Sequence, residues 1–288
     1  MPLAYYSRAA TQEFWSEHWG GQDVDRLVRI AATSPLTELI EGALPPSGRI
    51  LEAGCGLGQY VILLRERGRA VTGVDWSLDA LGRCKRAVPA APVAAMDLVE
   101  LAVKSGAVAA YVSLGVVEHD EHGPGAIVAE AARVLAPGGR LVLSVPYWNG
   151  ARRLLASRVV REGRRIRAAG GAFYQFAFTR QEVRAFLEAH GFRVLSFHPY
   201  DPARMWRTYF RRLAGGLDGT GAAASVTDDG ASHRAPVSPR RLARAAVKRI
   251  LYSEIGLRLF GHMILAVAVK SRDAPGAIAA ATPARLAP

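Results

Sequence analysis

Between Arg49 and Leu64 the chain reads RILEAGCGLGQYVILL: a short apolar run, three glycines at alternate positions (Gly54, Gly56 and Gly58), then an apolar stretch with helical spacing. Few patterns constrain a fold more. Glycine permits both a left-handed turn and the close approach of backbone to a ligand, because a Cβ would occupy the space. A strand ending in Glu52, a glycine loop and a helix therefore form the first half of a βαβ unit with its loop at the carboxyl end of the strand.

The rest of the first half repeats that unit. RILEA (49–53), AVTGVD (70–75), APVAAMD (91–97), AVAAYVSLG (107–115) and GRLVLSVP (139–146) are short, apolar on both faces and bounded by Gly, Pro or Asp, so they read as buried strands. Helical patterns lie between them at 57–68, 77–87, 98–105 and 123–136, the last stopped by APGG (136–139). Alternation of this kind predicts an α/β, Rossmann-like parallel sheet with helices on both faces and a ligand site at the carboxyl ends of the strands. Beyond residue 150 the spacing predicts a basic helical stretch over 151–171, a helix capped by Thr179 and ending at Gly191, a strand over 192–200, a basic amphipathic helix over 240–260 and a last strand over 262–270. Residues 214–238 are rich in Gly, Ala, Ser and Asp and read as a flexible linker, and the Ala/Pro-rich tail reads as disordered.

Three ligand readings compete for the glycine loop: a dinucleotide, S-adenosylmethionine, or none. The dinucleotide fingerprint requires a third glycine where Gln59 stands, and no Gly-Lys-Ser/Thr follows to make an ATP-type phosphate loop. The second strand ends in Asp75, 21 residues after Gly54, where a carboxylate can accept from both hydroxyls of a ribose. A nucleoside-bearing ligand is expected.

Taken together, ILEAGCGLGQY, VTGVDWS, AAMD, YVSLGVVEH and ARVLAPGGRLVLSVP resemble, in order and spacing, the motifs of class I S-adenosylmethionine-dependent methyltransferases, with YVSLGVVEH similar to the quinone-biosynthesis branch of small-molecule enzymes. The resemblance covers residues 35–200 and implies a seven-stranded sheet with an antiparallel last strand supplied by HMILAVAVK (262–270). It further implies that Glu52, Gly54, Gly56 and Gly58 belong to the cofactor site with Gly54 and Gly56 along the methionine end, that Asp75 holds the ribose, that Trp76 flanks the adenine with Asp97 and Leu98 at its edge, and that Ser113 and Leu114 pass beneath the sulfonium. The alternative for Trp76 is a core anchor, and for Asp97 a plain helix N-cap. S-adenosylhomocysteine would be the product.

A base is needed only if the acceptor is a hydroxyl that must lose its proton. His119, in VVEHDEH after the fourth strand, is the first candidate, and its alternative is a loop-ordering role. The acceptor pocket is expected to draw on Tyr174, Gln175, His198 and Tyr200. Neighbouring residues of EHDEH point in different directions, so no metal is expected. His190, just before Gly191, reads as a helix-dipole partner and His262 as structural. The aromatic segment YYSRAATQEFWSEHWGGQ, with Trp15 and Trp19 four residues apart, reads as a helix folding over the cofactor, as in related methyltransferases, or as an amphipathic helix stapled to the core.

Charge narrows the partners. Residues 1–150 hold 13 Lys/Arg against 16 Asp/Glu, whereas 151–288 hold 24 against 9. Such a basic half fits contact with phosphate or a membrane surface, or simply a solvated face. Amino-methylating and cytosine-methylating nucleic-acid signatures are missing, which disfavours nucleic acid. No apolar run approaches the roughly 18 residues of a membrane span. Two cysteines, Cys55 and Cys84, build no disulfide framework and no signal-peptide pattern opens the sequence, so a cytoplasmic setting is expected. The expected organisation is an N-terminal aromatic lid over 1–34, a methyltransferase core over 35–200, a basic helical insertion over 201–260, the last strand over 261–272 and a tail over 273–288. O-methylation of a small metabolite or of a glycan or lipid intermediate is the expected reaction. The rivals are a non-catalytic nucleoside-binding domain and an RNA methyltransferase using the basic half. Oligomeric state is not legible.

Overall fold

The computed structural model describes residues 1–205, 207 and 247–271. The linker over 214–238, the start of the amphipathic helix at 240–246 and the tail over 273–288 lie outside the described residues.

Among the described residues, seven strands make the main sheet, in the order β4 (Val93–Ala95), β3 (Val71–Asp75), β2 (Ile50–Ala53), β5 (Val108–Leu114), β6 (Leu135–Pro146), β9 (Met263–Lys270), β8 (Phe192–Tyr200). All pairings from β4 through β6 are parallel; β9 runs antiparallel to both β6 and β8. The order reverses between β2 and β5, which opens a crevice at their carboxyl ends. These strands read as continuous apolar runs because helices cover both faces: β2 is buried at every residue.

The helices follow from local signals. Helix α4 (Gln59–Glu66) buries five consecutive residues, Tyr60 to Leu64, because it is packed between the sheet and α2 (Val24–Ala32). A helix apolar on all sides must be enclosed in this way. Helix α5 (Leu78–Ala87) starts at Ser77, whose hydroxyl accepts from the Ala80 amide. Helices α3 (Pro35–Ala43), α6 (Gly125–Val134) and α9 (Arg180–Ala189) complete the layers, α9 with a reciprocal capping box between Thr179 and Glu182.

Three expectations change. Residues 98–105 form turns rather than a helix: Asp97 Oδ1 accepts from the Val99 amide, and the backbone of Leu101 is held by Glu130 and Arg133 of α6, at 2.6 and 2.9 Å. Those side-chain bonds satisfy the backbone groups that a short helix would otherwise have paired. The basic stretch over 151–171 splits into α7 (Gly150–Leu154) and α8 (Ala156–Ala168), because Arg152 turns inward, buried, to the Tyr147 and His262 carbonyls and to His262 Nδ1. The helix expected over 240–260 breaks at Tyr252, and α10 (Glu254–Phe260) restarts from the Ser253 cap.

An unforeseen feature is a second sheet of two strands, β1 (Leu3–Ser7) antiparallel to β7 (Ala172–Ala177). Between β1 and α2 lies α1 (Gln12–Gly20), capped by Thr11 and with no buried residue.

Candidate active site

The glycine loop takes the conformation its composition allows. Gly54, Gly56 and Gly58 have φ of 77°, 53° and 74°, the left-handed region. Asp75, at the end of β3, ties the loop down: its Oδ2 accepts from the Gly56 amide at 2.8 Å and its Oδ1 from the Ser77 amide at 2.9 Å. One carboxylate thus fixes the loop after β2 and the turn after β3. Burial raises the pKa of Asp75, against the pull of those amides.

Around the loop lie buried polar atoms without a hydrogen-bond partner: Glu52 Oε2 at the end of β2, Gln59 Oε1 at the start of α4, and Ser113 Oγ in β5. Burial first, then the Asp75 charge, pushes Glu52 up to about 8. Polar atoms left unpaired in a core cost stability, so this cluster points to a polar ligand.

Helix α1 covers the crevice. Gln12 Nε2 donates to the Trp76 carbonyl at 2.6 Å, and Arg83 donates to the carbonyls of Gly20 and Gln22. Trp19 lies against the glycine loop so closely that a Cβ on Gly56 would sit 2.6 Å from its ring. Trp15 meets His119 edge-on at 5.0 Å between centroids, and Phe14 meets Tyr174 at 5.7 Å.

On the acceptor side, Val117–His119 form a 3-10 turn just after β5. His119 Nδ1 bonds the Tyr174 carbonyl of β7 at 2.8 Å, which leaves Nε2 as the free nitrogen of a neutral ring. Burial lowers the His119 pKa to about 4. Glu118 is 2% exposed, its Oε2 has no partner, its Oε1 lies 4.0 Å from His119 Nε2, and burial raises its pKa to about 8. Tyr200 reaches the same end of the sheet, with its hydroxyl 2.8 Å from Ser144 Oγ on β6.

The remaining expected residues are placed less centrally. Trp76 is 47% exposed at the rim, not a core anchor. Asp97 is exposed and Leu98 packs against the core beside it. Leu114 packs against the other core cluster, following Ser113. Gln175 pairs with Tyr5 of β1, and Tyr174 is the extra residue at a register shift between the two strands. His198 sits on edge strand β8, bonded through Nε2 to Ser196 Oγ at 2.8 Å, two strands from β6. His190 Nδ1 bonds the Phe186 carbonyl at the end of α9, and His262 is bound to Arg152.

Residues 51–143 match the family model described as a methyltransferase domain. A putative methyltransferase of Bacillus subtilis, YqeM, is 41% identical over 64 residues, 22% of this chain and 26% of that protein. A probable S-adenosylmethionine-dependent methyltransferase of Mycolicibacterium smegmatis is 32% identical over 99 residues, 34% of this chain and 37% of its own length. Over residues 51–143 the chain is similar to the S-adenosylmethionine-dependent methyltransferases. A methyltransferase structure from Archaeoglobus fulgidus shares the fold with a TM-score of 0.53 over 90% of this chain and 99% of that one, at 15% identity. The chain spans about a quarter to two-fifths of the curated relatives it matches.

The cofactor of this methyltransferase family fits the residues present. Glu52 Oε2 and Gln59 Oε1 are acceptors that suit an ammonium-bearing ligand end, and Asp75 keeps lone pairs for ribose hydroxyls beyond its two backbone bonds. Two residues of the site escaped the sequence reading. Gln59 was weighed only as the glycine it replaces, and Glu118 only as a member of a metal-like cluster. The available signal for Glu118 was its position directly before His119, four residues after the end of a largely apolar strand.

Two predictions arise here. Because the Glu118 pKa is raised to about 8 in the folded protein against an ordinary value of 4.5, the folded state holds a proton that the unfolded chain has released across that interval. Stability contributed through this group therefore falls as pH rises from 4.5 to 8. Glu118→Gln removes the ionisation, so its melting temperature should exceed the wild type's at pH 8.5 and match it near pH 5. Equal melting curves at pH 8.5 would mean that the carboxyl is solvated. The second concerns Trp19: S-adenosylhomocysteine should change tryptophan emission as α1 is repositioned, and Trp19→Ala should lose at least half of that change while remaining folded.

Proposed function

We propose that this methyltransferase transfers a methyl group to an oxygen of a small metabolite, or of a glycan- or lipid-linked intermediate, bound between Glu118, His119, Tyr174 and Tyr200. One observation carries this reading: a buried carboxyl with an unpartnered oxygen stands beside the free nitrogen of an anchored, neutral imidazole. A hydroxyl entering that gap has two acceptors within reach. N-methylation of an amine already carrying a lone pair would need neither.

S-adenosylmethionine supplies an electrophilic methyl group on sulfur. Most of the rate then comes from alignment of the acceptor and exclusion of water. Glu52, Gln59, the glycine loop, Asp75 and Ser113 would hold the cofactor, and α1 with Trp15 and Trp19 would close over it. Glu118, once ionised, accepts the hydroxyl's one hydrogen bond and then takes its proton as the oxygen receives the methyl group, while the neutral ring of His119, anchored at Nδ1 by the Tyr174 carbonyl, walls the gap. The two environments push an acid and a base apart, up to about 8 and down to about 4, which assigns the proton to the carboxylate.

Calorimetric titration with S-adenosylmethionine, S-adenosylhomocysteine and NAD, followed by a labelled-methyl screen of hydroxyl-bearing and amine-bearing acceptors, tests the reading. Binding of both adenosyl ligands without NAD, with transfer to hydroxyl compounds, is the expected result. Transfer confined to amines would overturn the oxygen assignment, and binding without any transfer would favour a nucleoside-binding role.

A further inference from the structure

We propose that the surface formed by α7, α8 and α10 docks the protein on a bilayer containing anionic phospholipid. Between residues 153 and 167 the chain carries six arginines, Arg153, Arg158, Arg161, Arg164, Arg165 and Arg167, against a single acid, Glu162. All six are exposed, and none of Arg153, Arg158, Arg161, Arg164 and Arg165 pairs with a carboxylate among the described residues. Arg158, Arg161 and Arg165 fall at spacings of three and four, on one face of α8. Arg161, Arg164 and Arg165 lie together with Ser157 and Ala168 around a shallow, open depression along α8. Guanidinium forks arrayed in this way match phosphate oxygens.

Charge alone would suit any polyanion. What selects a bilayer is the aliphatic surface set beside it. Leu154, at the end of α7, is 85% exposed, and Ile255 on α10 is 72% exposed, with Ile250 and Leu259 also facing outward. Ile255 and Leu259, four apart, share a face of α10. The three helices are contiguous: only Leu155 separates α7 from α8, and Leu259 rests on α7, where a Cβ on Gly150 would lie 2.6 Å from its Cδ2. Exposed aliphatic side chains on helices contiguous with an arginine-rich one are the composition of an interfacial element, with the apolar groups at the acyl boundary and the cations among headgroups. An RNA or an acidic protein would use the arginines and leave Leu154 and Ile255 in water.

The surface also has a definite relation to the site. Three residues separate the carboxyl end of β6 from the start of α7, and α8 packs through Gly163 on Tyr6 of β1, the partner strand of β7. Docking would bring the acceptor side of the crevice to the headgroup layer. The binding itself does not depend on which acceptor is methylated.

The test uses the full chain in vesicle sedimentation, with phosphatidylcholine alone or with 30% phosphatidylglycerol. The expected result is binding to the anionic vesicles at low salt, at least tenfold weaker at 0.5 M salt, where the Debye length falls to a few ångströms. Arg158→Glu/Arg161→Glu/Arg165→Glu should abolish it, and Leu154→Ser/Ile255→Ser should weaken it at least fivefold. All these positions are exposed, so melting temperature and S-adenosylhomocysteine affinity should stay at wild-type values, which separates a docking defect from failure of the cofactor site. Absence of binding to anionic vesicles at low salt overturns the proposal. So does an unchanged affinity of the serine pair with competition by a single-stranded RNA 20-mer, which would make the face a general polyanion site.

Discussion

Glu118→Gln should lower the methyl-transfer rate by a factor of about 10² to 10³ while leaving S-adenosylhomocysteine affinity within about twofold. The amide keeps the shape of the side chain and its hydrogen-bonding reach but cannot take a proton. The wild-type rate should rise with pH through about 8, where the carboxyl ionises, and this limb should vanish in the variant. His119 stays neutral over that range because its pKa is lowered to about 4, so it does not supply the limb. The same variant is expected to be more stable than the wild type at pH 8.5. Lower activity in a more stable protein separates loss of a catalytic group from loss of structure. A rate within threefold of wild type with an unchanged pH profile would remove Glu118 from the chemistry and return the proton to solvent.

Asp75→Ala should weaken S-adenosylmethionine and S-adenosylhomocysteine binding about 30-fold or more, on the order of 2 kcal/mol, read by calorimetry. Two losses combine. The ribose loses its carboxylate, and the Gly56 and Ser77 amides lose the acceptor that sets the loop at 2.8 and 2.9 Å. Asp75→Asn separates them, since its one carbonyl oxygen can keep a single amide bond, so it should fall between the wild type and the alanine variant. A wild-type affinity in Asp75→Ala would place the nucleoside elsewhere.

Much of this architecture was legible because parallel strands bury both faces and so stand out as apolar runs between glycines, prolines and acids. The seven strands of the main sheet, the loop after Glu52 and the position of Asp75 were read from such local signals. Where side chains from elsewhere satisfy the backbone, local reading fails: residues 98–105 have helical composition, yet Glu130 and Arg133 hold Leu101 in a turn. The small β1–β7 sheet was illegible for a related reason. Its strands lie far apart in sequence, and AYY and FYQFA carry no turn between them to announce a pairing. At the site, composition identifies which residues could act, but burial decides what they do. Glu118 and His119 are adjacent letters whose opposite pKa shifts come from the walls around them. His198 carried as strong a letter and sits on edge strand β8, two strands from β6, with Nε2 bonded to Ser196 Oγ.

Helix α1 touches the glycine loop, Trp76, His119 and Tyr174, yet none of its residues is buried. The segment that covers the crevice therefore takes little part in the core beyond the packing of Trp19 against it. Selection for new acceptors, natural or in the laboratory, has an inexpensive place to begin. Substitutions at Phe14, Trp15 and Trp19 would reshape the reaction chamber while the sheet that carries it goes unchanged.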